Sequence, residues 1–158
     1  MFTIQKIKNI IDHYKNLYGK HNLVYRGSCV YKKRLYPRKY RNSKYIFGTT
    51  SAELAISYMR CKKCDYIAQS YDGKRLTLLE LKKNKLKKCF SCIGYFYIMK
   101  KSNFIKSSLG QLKTEYLSTK IQKPLCILKI KNPYHLIKSC KKIRFISSNH
   151  INQIKIKK

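Results

Sequence analysis

A chain with six acidic side chains and 37 lysines and arginines cannot fold by pairing its charges. Its formal net charge is +31, and self-repulsion on that scale opposes compaction. The fold must therefore rest on apolar burial, and 158 residues with 44% hydrophobic content suffice for one core. We expect a single domain over 1–158, with a basic C-terminal tail from about 151. The same scarcity makes a carboxylate inside a strand conspicuous. Glu115 is one, in the run Glu115-Tyr116-Leu117.

The cationic excess attracts phosphate polymers, so DNA or RNA is the expected partner of the basic surface. The charge is densest over 31–44, 82–88 and 151–158. Abundant Lys, Ile, Asn and Tyr also fit an AT-rich genome, which explains the lysines but not the shortage of acids. No apolar run is long enough to span a bilayer, and the N-terminus has no signal-peptide core. The expected setting is intracellular, cytoplasmic or nuclear. The seven cysteines are an odd number, which favours free thiols or a metal over a disulfide framework.

Ile4, Ile7, Ile10, Ile11, Tyr14, Leu17 and Tyr18 follow helical spacing, and Gly19 fits the C-cap. Val24-Tyr25 and Ile46-Phe47 are short strands. Residues 31–44 have no clean period and predict a loop. Thr50 or Ser51 caps a helix over 52–59, with Glu53 near its N-terminus. Asp72-Gly73 is a hairpin signal before a strand over 76–81. Further strands are expected over 93–99, 115–117 and 125–130, a loop over 107–111, a helix over 134–140 after Pro133, and a short strand at Phe145-Ile146. This is an α+β pattern with a mostly antiparallel sheet.

Three segments in order carry chemistry. They are Tyr25-Arg26-Gly27, then Phe47-Gly48-Thr49-Thr50-Ser51, then Lys113-Thr114-Glu115. Together they resemble the signature of ADP-ribosyltransferases, in the arginine–serine–glutamate branch that contains toxins and viral or phage effectors. The match covers about residues 23–117. Glu115-Tyr116-Leu117 also resembles the third motif of the poly-ADP-ribose polymerase branch.

The resemblance implies a split antiparallel β-sheet core behind an N-terminal helix, and NAD as substrate. Glu115 would stabilise the cation that develops on the ribose as nicotinamide leaves. Arg26 would fork onto the pyrophosphate. Gly27 would let the backbone approach the nicotinamide amide. Thr49, Thr50 and Ser51 would position Glu115 through hydroxyl bonds, and Phe47, Tyr45 or Tyr58 would stack the nicotinamide. Lys113 stands where arginine-modifying members carry a first glutamate, which argues against arginine as acceptor. Each segment also has an ordinary reading: one basic strand end among many, a helix cap, and a solvated edge carboxylate.

Cys61-Lys62-Lys63-Cys64 and Cys89-Phe90-Ser91-Cys92 are two Cys-x-x-Cys pairs, the spacing of a four-cysteine zinc site. Flanking lysines would lower the thiol pKa values. Chance pairing among seven cysteines is the competing reading. The sequence thus supports two function classes. One is an NAD-dependent transferase acting on a protein, a nucleic acid or water. The other is a non-catalytic basic nucleic-acid-binding or virion-associated protein, zinc-stabilised.

Overall fold

The computed structural model describes residues 2–61, 64, 67–82, 85–108 and 114–146. Lys113, the tail from 151, the end of the 107–111 loop and part of the 82–88 lysine run lie outside the described residues. In chain order the elements are α1 (Ile4–Tyr18), β1 (Leu23–Ser28), β2 (Arg38–Tyr40), β3 (Ser43–Thr49), α2 (Ala52–Ser57), β4 (Ile67–Tyr71), β5 (Leu76–Glu80), α3 (Leu86–Cys89), β6 (Gly94–Lys100), β7 (Ile105–Lys106), β8 (Glu115–Ser118), β9 (Cys126–Ile130), α4 (Pro133–Ser139) and β10 (Ile143–Ile146). The architecture is α+β.

A seven-stranded antiparallel sheet runs β7-β8-β3-β1-β6-β9, with β2 paired to β3. A second sheet runs β10-β5-β4, in which β10 lies parallel to β5. One core cluster joins the two sheets to the helices: Ile7 and Ile11 of α1, Leu54 and Ala55 of α2, Leu76 and Leu78 of β5, and Leu136 and Ile137 of α4. Each such fully buried aliphatic contributes about 1.5–3 kcal/mol. The opposite face of the large sheet carries a smaller cluster, including Val24, Leu35, Ile46, Tyr97 and Phe104.

Local chemistry sets the helix ends. Thr3 caps α1 through its side chain, and Gly19 closes it at a positive φ of 94°. Ser51 caps α2 by accepting from the Leu54 amide at 3.1 Å. Pro133 opens α4. The Asp72 carboxylate accepts from the Lys74 and Arg75 amides and sets the β4–β5 hairpin.

Several expectations change. The 31–44 loop contains β2. The helix over 52–59 ends at Ser57, and Tyr58 is 38% exposed at its C-cap. Among the lysines of 82–88, Leu86 opens a short helix that buries both Leu86 and Cys89, and Glu80 accepts the Leu86 amide at 2.9 Å.

Candidate active site

β1 is treated differently on its two edges. Against β6 it pairs along its whole length, from Leu23↔Lys100 to Ser28↔Tyr95. Against β3 it pairs at Tyr25↔Thr49 only, and beyond that point the seam opens. Arg26 fills the opening. Its guanidinium donates to the Phe47 carbonyl at 2.8 Å, a group that a continuous ladder would have offered to a backbone amide.

Gly27 sets the height of β1 against α2. A Cβ at Gly27 would overlap the Ala55 carbonyl oxygen, so only glycine lets helix and strand backbones approach this closely. This packing is the role the structure gives Gly27, whereas the resemblance had implied a ligand contact.

Among the described residues none of the three hydroxyls bonds the Glu115 side chain, and Ser51 takes the helix cap expected from the sequence. The Thr49 hydroxyl accepts from the Ser51 amide at 3.1 Å, and the Ser51 hydroxyl serves the helix cap and Glu53. Thr49 and Ser51 are buried, while Thr50 is exposed. Their hydroxyls turn the chain from β3 into α2. Glu115 is positioned by backbone instead. It is the register partner of Thr49, the Thr50 amide donates to the Thr114 carbonyl at 3.0 Å, and the Ser107 amide donates to the Glu115 carbonyl at 2.9 Å.

Arg26, Thr49 and Glu115 lie on three adjacent strands, β1, β3 and β8, and Thr50 and Ser51 follow the end of β3. Tyr116 packs on the smaller core, so strand alternation turns Glu115 toward the α2 side of the sheet. Tyr58, at the end of α2, links the two charges electrostatically. Burial pushes its phenol pKa up, the Glu115 carboxylate pushes it further, and Arg60, a Gln69 hydrogen bond and Arg26 oppose.

Both charges are uncompensated. Arg26 is half-buried, and burial followed by the nearby Arg38 cation lowers its pKa. Among the described residues no carboxylate pairs with it. Glu115 is half-buried, burial raises its pKa, and among the described residues its carboxylate has no hydrogen bond or ion pair. The other described acids are all engaged. Asp12 pairs with Lys15, Glu53 with Ser51 and more distantly with Lys142, Asp72 holds its turn, and Glu80 caps α3.

A groove of about 210 Å³ leads away from Arg26, walled by Lys32, Arg38, Tyr36, Tyr40, Tyr45 and Phe47. Tyr40 meets Phe47 edge-on with ring centroids 5.1 Å apart. Glu115 does not line this groove; it is the register partner of Thr49, level with the point where β1 and β3 are still paired. Tyr97 stabilises the groove rim. Its hydroxyl donates to the Val30 carbonyl at 3.0 Å and accepts from the Lys32 amide at 2.9 Å. Sequence reasoning missed Tyr97. The signal was a tyrosine amid buried apolar strand positions, where a hydroxyl requires a partner.

The four motif cysteines also converge, in a different region. Cys64 is disulfide-bonded to Cys89, with Cα atoms 5.5 Å apart. The odd cysteine count favours free thiols or a metal over disulfides; among the described residues the structure has this one disulfide, and Cys29, Cys61, Cys92, Cys126 and Cys140 are free. The Cys61 thiol donates to the Lys88 carbonyl and the Cys92 thiol to the Met59 carbonyl, and burial foremost, then nearby Cys61, pushes Cys92 up to about 12. That is opposite to the lowering expected from nearby lysines. Comparison with known proteins supplies no relative: the chain matches no protein-family model, no curated protein and no solved structure.

Proposed function

We propose that the chain binds NAD across the opened β1–β3 seam and breaks its nicotinamide–ribose bond. The observation that carries this reading is a pair of half-buried charges with no counter-ion among the described residues, Arg26 at the opened seam and Glu115 on β8 beyond β3. A desolvated cation without an anion costs stability, and such costs are retained where a ligand repays them. In a chain with six acids, an unpaired carboxylate among 37 cations has the same meaning.

Arg26 offers its remaining guanidinium donors to the pyrophosphate, with Arg38 and Lys32 adding to the field. Phe47, Tyr40 and Tyr45 supply faces for a flat ring. As the glycosidic C–N bond breaks, its electron pair leaves with neutral nicotinamide and positive charge builds on the ribose. The Glu115 carboxylate stabilises that charge. An acceptor hydroxyl or water then attacks the anomeric carbon and gives its proton to solvent. Glu115 acts as the anion, so turnover rises with pH through its raised pKa.

A second reading has its own observation. The groove interleaves exposed Tyr36 and Tyr40 with Arg38 and Lys39, which suits stacked bases and phosphates of a single strand. Incubating the protein with NAD and measuring free nicotinamide tests the first reading. Release at a rate proportional to protein supports it. No release and no NAD binding leaves the groove to nucleic acid.

A further inference from the structure

The four cysteines of the two Cys-x-x-Cys pairs do not only lie near one another; they are crossed. Cys64 is joined to Cys89, and Cys61 lies near Cys92, so each member of one pair neighbours a member of the other. The backbone is already wound for this. The Cys64 amide donates to the Cys61 carbonyl at 3.2 Å, closing the tight turn a chelating pair needs. The Cys61 amide donates to the Cys89 carbonyl at 2.8 Å and ties the two turns together. The Cys92 thiol contacts the Met59 carbonyl at 3.4 Å, and the Cys61 thiol contacts the Lys88 carbonyl at 3.8 Å.

With Cys64 and Cys89 joined to each other, two thiols remain. In that state no group of three or more His, Cys, Asp or Glu among the described residues is set to hold a metal. Reduction changes the count. A dithiol reductant that takes up the Cys64–Cys89 bond becomes a disulfide itself and leaves four thiols in one knot.

We propose that in the reduced protein Cys61, Cys64, Cys89 and Cys92 form a tetrahedral zinc–thiolate site. Binding one Zn²⁺ releases four protons and leaves a centre of charge −2. A chain at +31 favours a dianion, and Lys87 and Lys88 stand in the last turn of α3 beside it. The knot fastens the chain leaving α2 to the turn that enters β6, the strand along which β1 is fully paired. Tyr58 stands three residues before Cys61, so the same knot anchors the residue that links Arg26 and Glu115. The metal site does not depend on the NAD reading.

The test uses the full chain, reduced with a phosphine and equilibrated with zinc, then with cobalt. One zinc per chain is expected, with the visible cobalt spectrum and thiolate charge-transfer bands of tetrahedral sulfur coordination. Cys61→Ser and Cys92→Ser should each lose most of the zinc, while Cys29→Ser, whose sulfur is near Cys92, should keep it. Reduced, folded protein that holds no zinc would overturn the proposal. So would full zinc retention after Cys61 and Cys92 are both replaced. Cadmium-113 resonance of the unmutated chain reads sulfur coordination without requiring any variant to fold; a shift outside the four-thiolate range would also overturn it.

Discussion

The two edges of β1 are the instructive contrast in this molecule. On the β6 side, backbone pairing runs unbroken from Leu23 to Ser28, with Phe96 and Ile98 completely buried opposite. On the β3 side, pairing stops after Tyr25 and an arginine side chain takes the next carbonyl. One strand is therefore both the middle of the scaffold and the wall of a cleft. Where the ladder is complete, the polar backbone is satisfied from within. Where it opens, the chain places Arg26, and Glu115 stands on β8 beside the last paired residue, Thr49; neither has a counter-ion among the described residues.

The largest expected effect concerns nucleic acid. If single-stranded DNA or RNA occupies the groove, contacts to about six phosphates should make affinity fall by roughly three decades between about 50 and 200 mM salt. Strands that occupy the open edge must also compete with NAD, whereas strands that coat the basic surface elsewhere will not. A filter-binding titration at several salt concentrations, with and without NAD, separates the two.

Next in size is Glu115→Gln. Removing the stabilising anion should slow nicotinamide release about 10²–10³-fold with the fold intact. The same change should raise stability near neutral pH. The folded-state pKa of Glu115 lies above its ordinary 4.5, so the folded protein holds that proton longer than the unfolded chain. Its favourable contribution is present below 4.5 and is lost as pH rises through the raised value. Denaturation from pH 4 to 8 should show the wild type losing stability relative to the glutamine variant. Equal pH profiles would mean that Glu115 is a solvated edge residue.

Gly27→Ala probes the frame behind the cleft. The new Cβ meets backbone at Ala55, which cannot move aside as a flexible side chain would. A loss of about 1–3 kcal/mol is expected in chemical denaturation. A neutral substitution would show that α2 is not pressed against β1 as described.

Much of the frame was legible in the sequence because it is written locally. The isoleucine spacing of α1, the serine cap of α2 and the Asp72-Gly73 turn each depend on residues within a few positions. The strand boundaries of β5, β6, β8 and β9 shift by only a residue or so for the same reason. What the sequence hid depends on partners distant along the chain. The α3 helix was obscured by lysines that face solvent while Leu86 and Cys89 turn inward. The parallel pairing of β10 with β5 is fixed by tertiary packing alone. The hydroxyl run after β3 was visible as a cap, but the bond from the Ser51 amide to the Thr49 hydroxyl emerges only from hydrogen-bond geometry. The opened seam was least legible of all, since nothing in Leu23–Ser28 says which of its two edges will be left unpaired.

The most direct measurement of the central claim is NAD affinity by calorimetry for the wild type and for Arg26→Met. Methionine keeps much of the side-chain volume and removes the uncompensated cation, so the variant should fold without a large loss of stability. If Arg26 is a preformed anion site, the variant should bind NAD about 10–100-fold more weakly, as expected for loss of charge-assisted hydrogen bonds. Equal affinity in the two proteins, or no NAD binding by the wild type, would contradict the account.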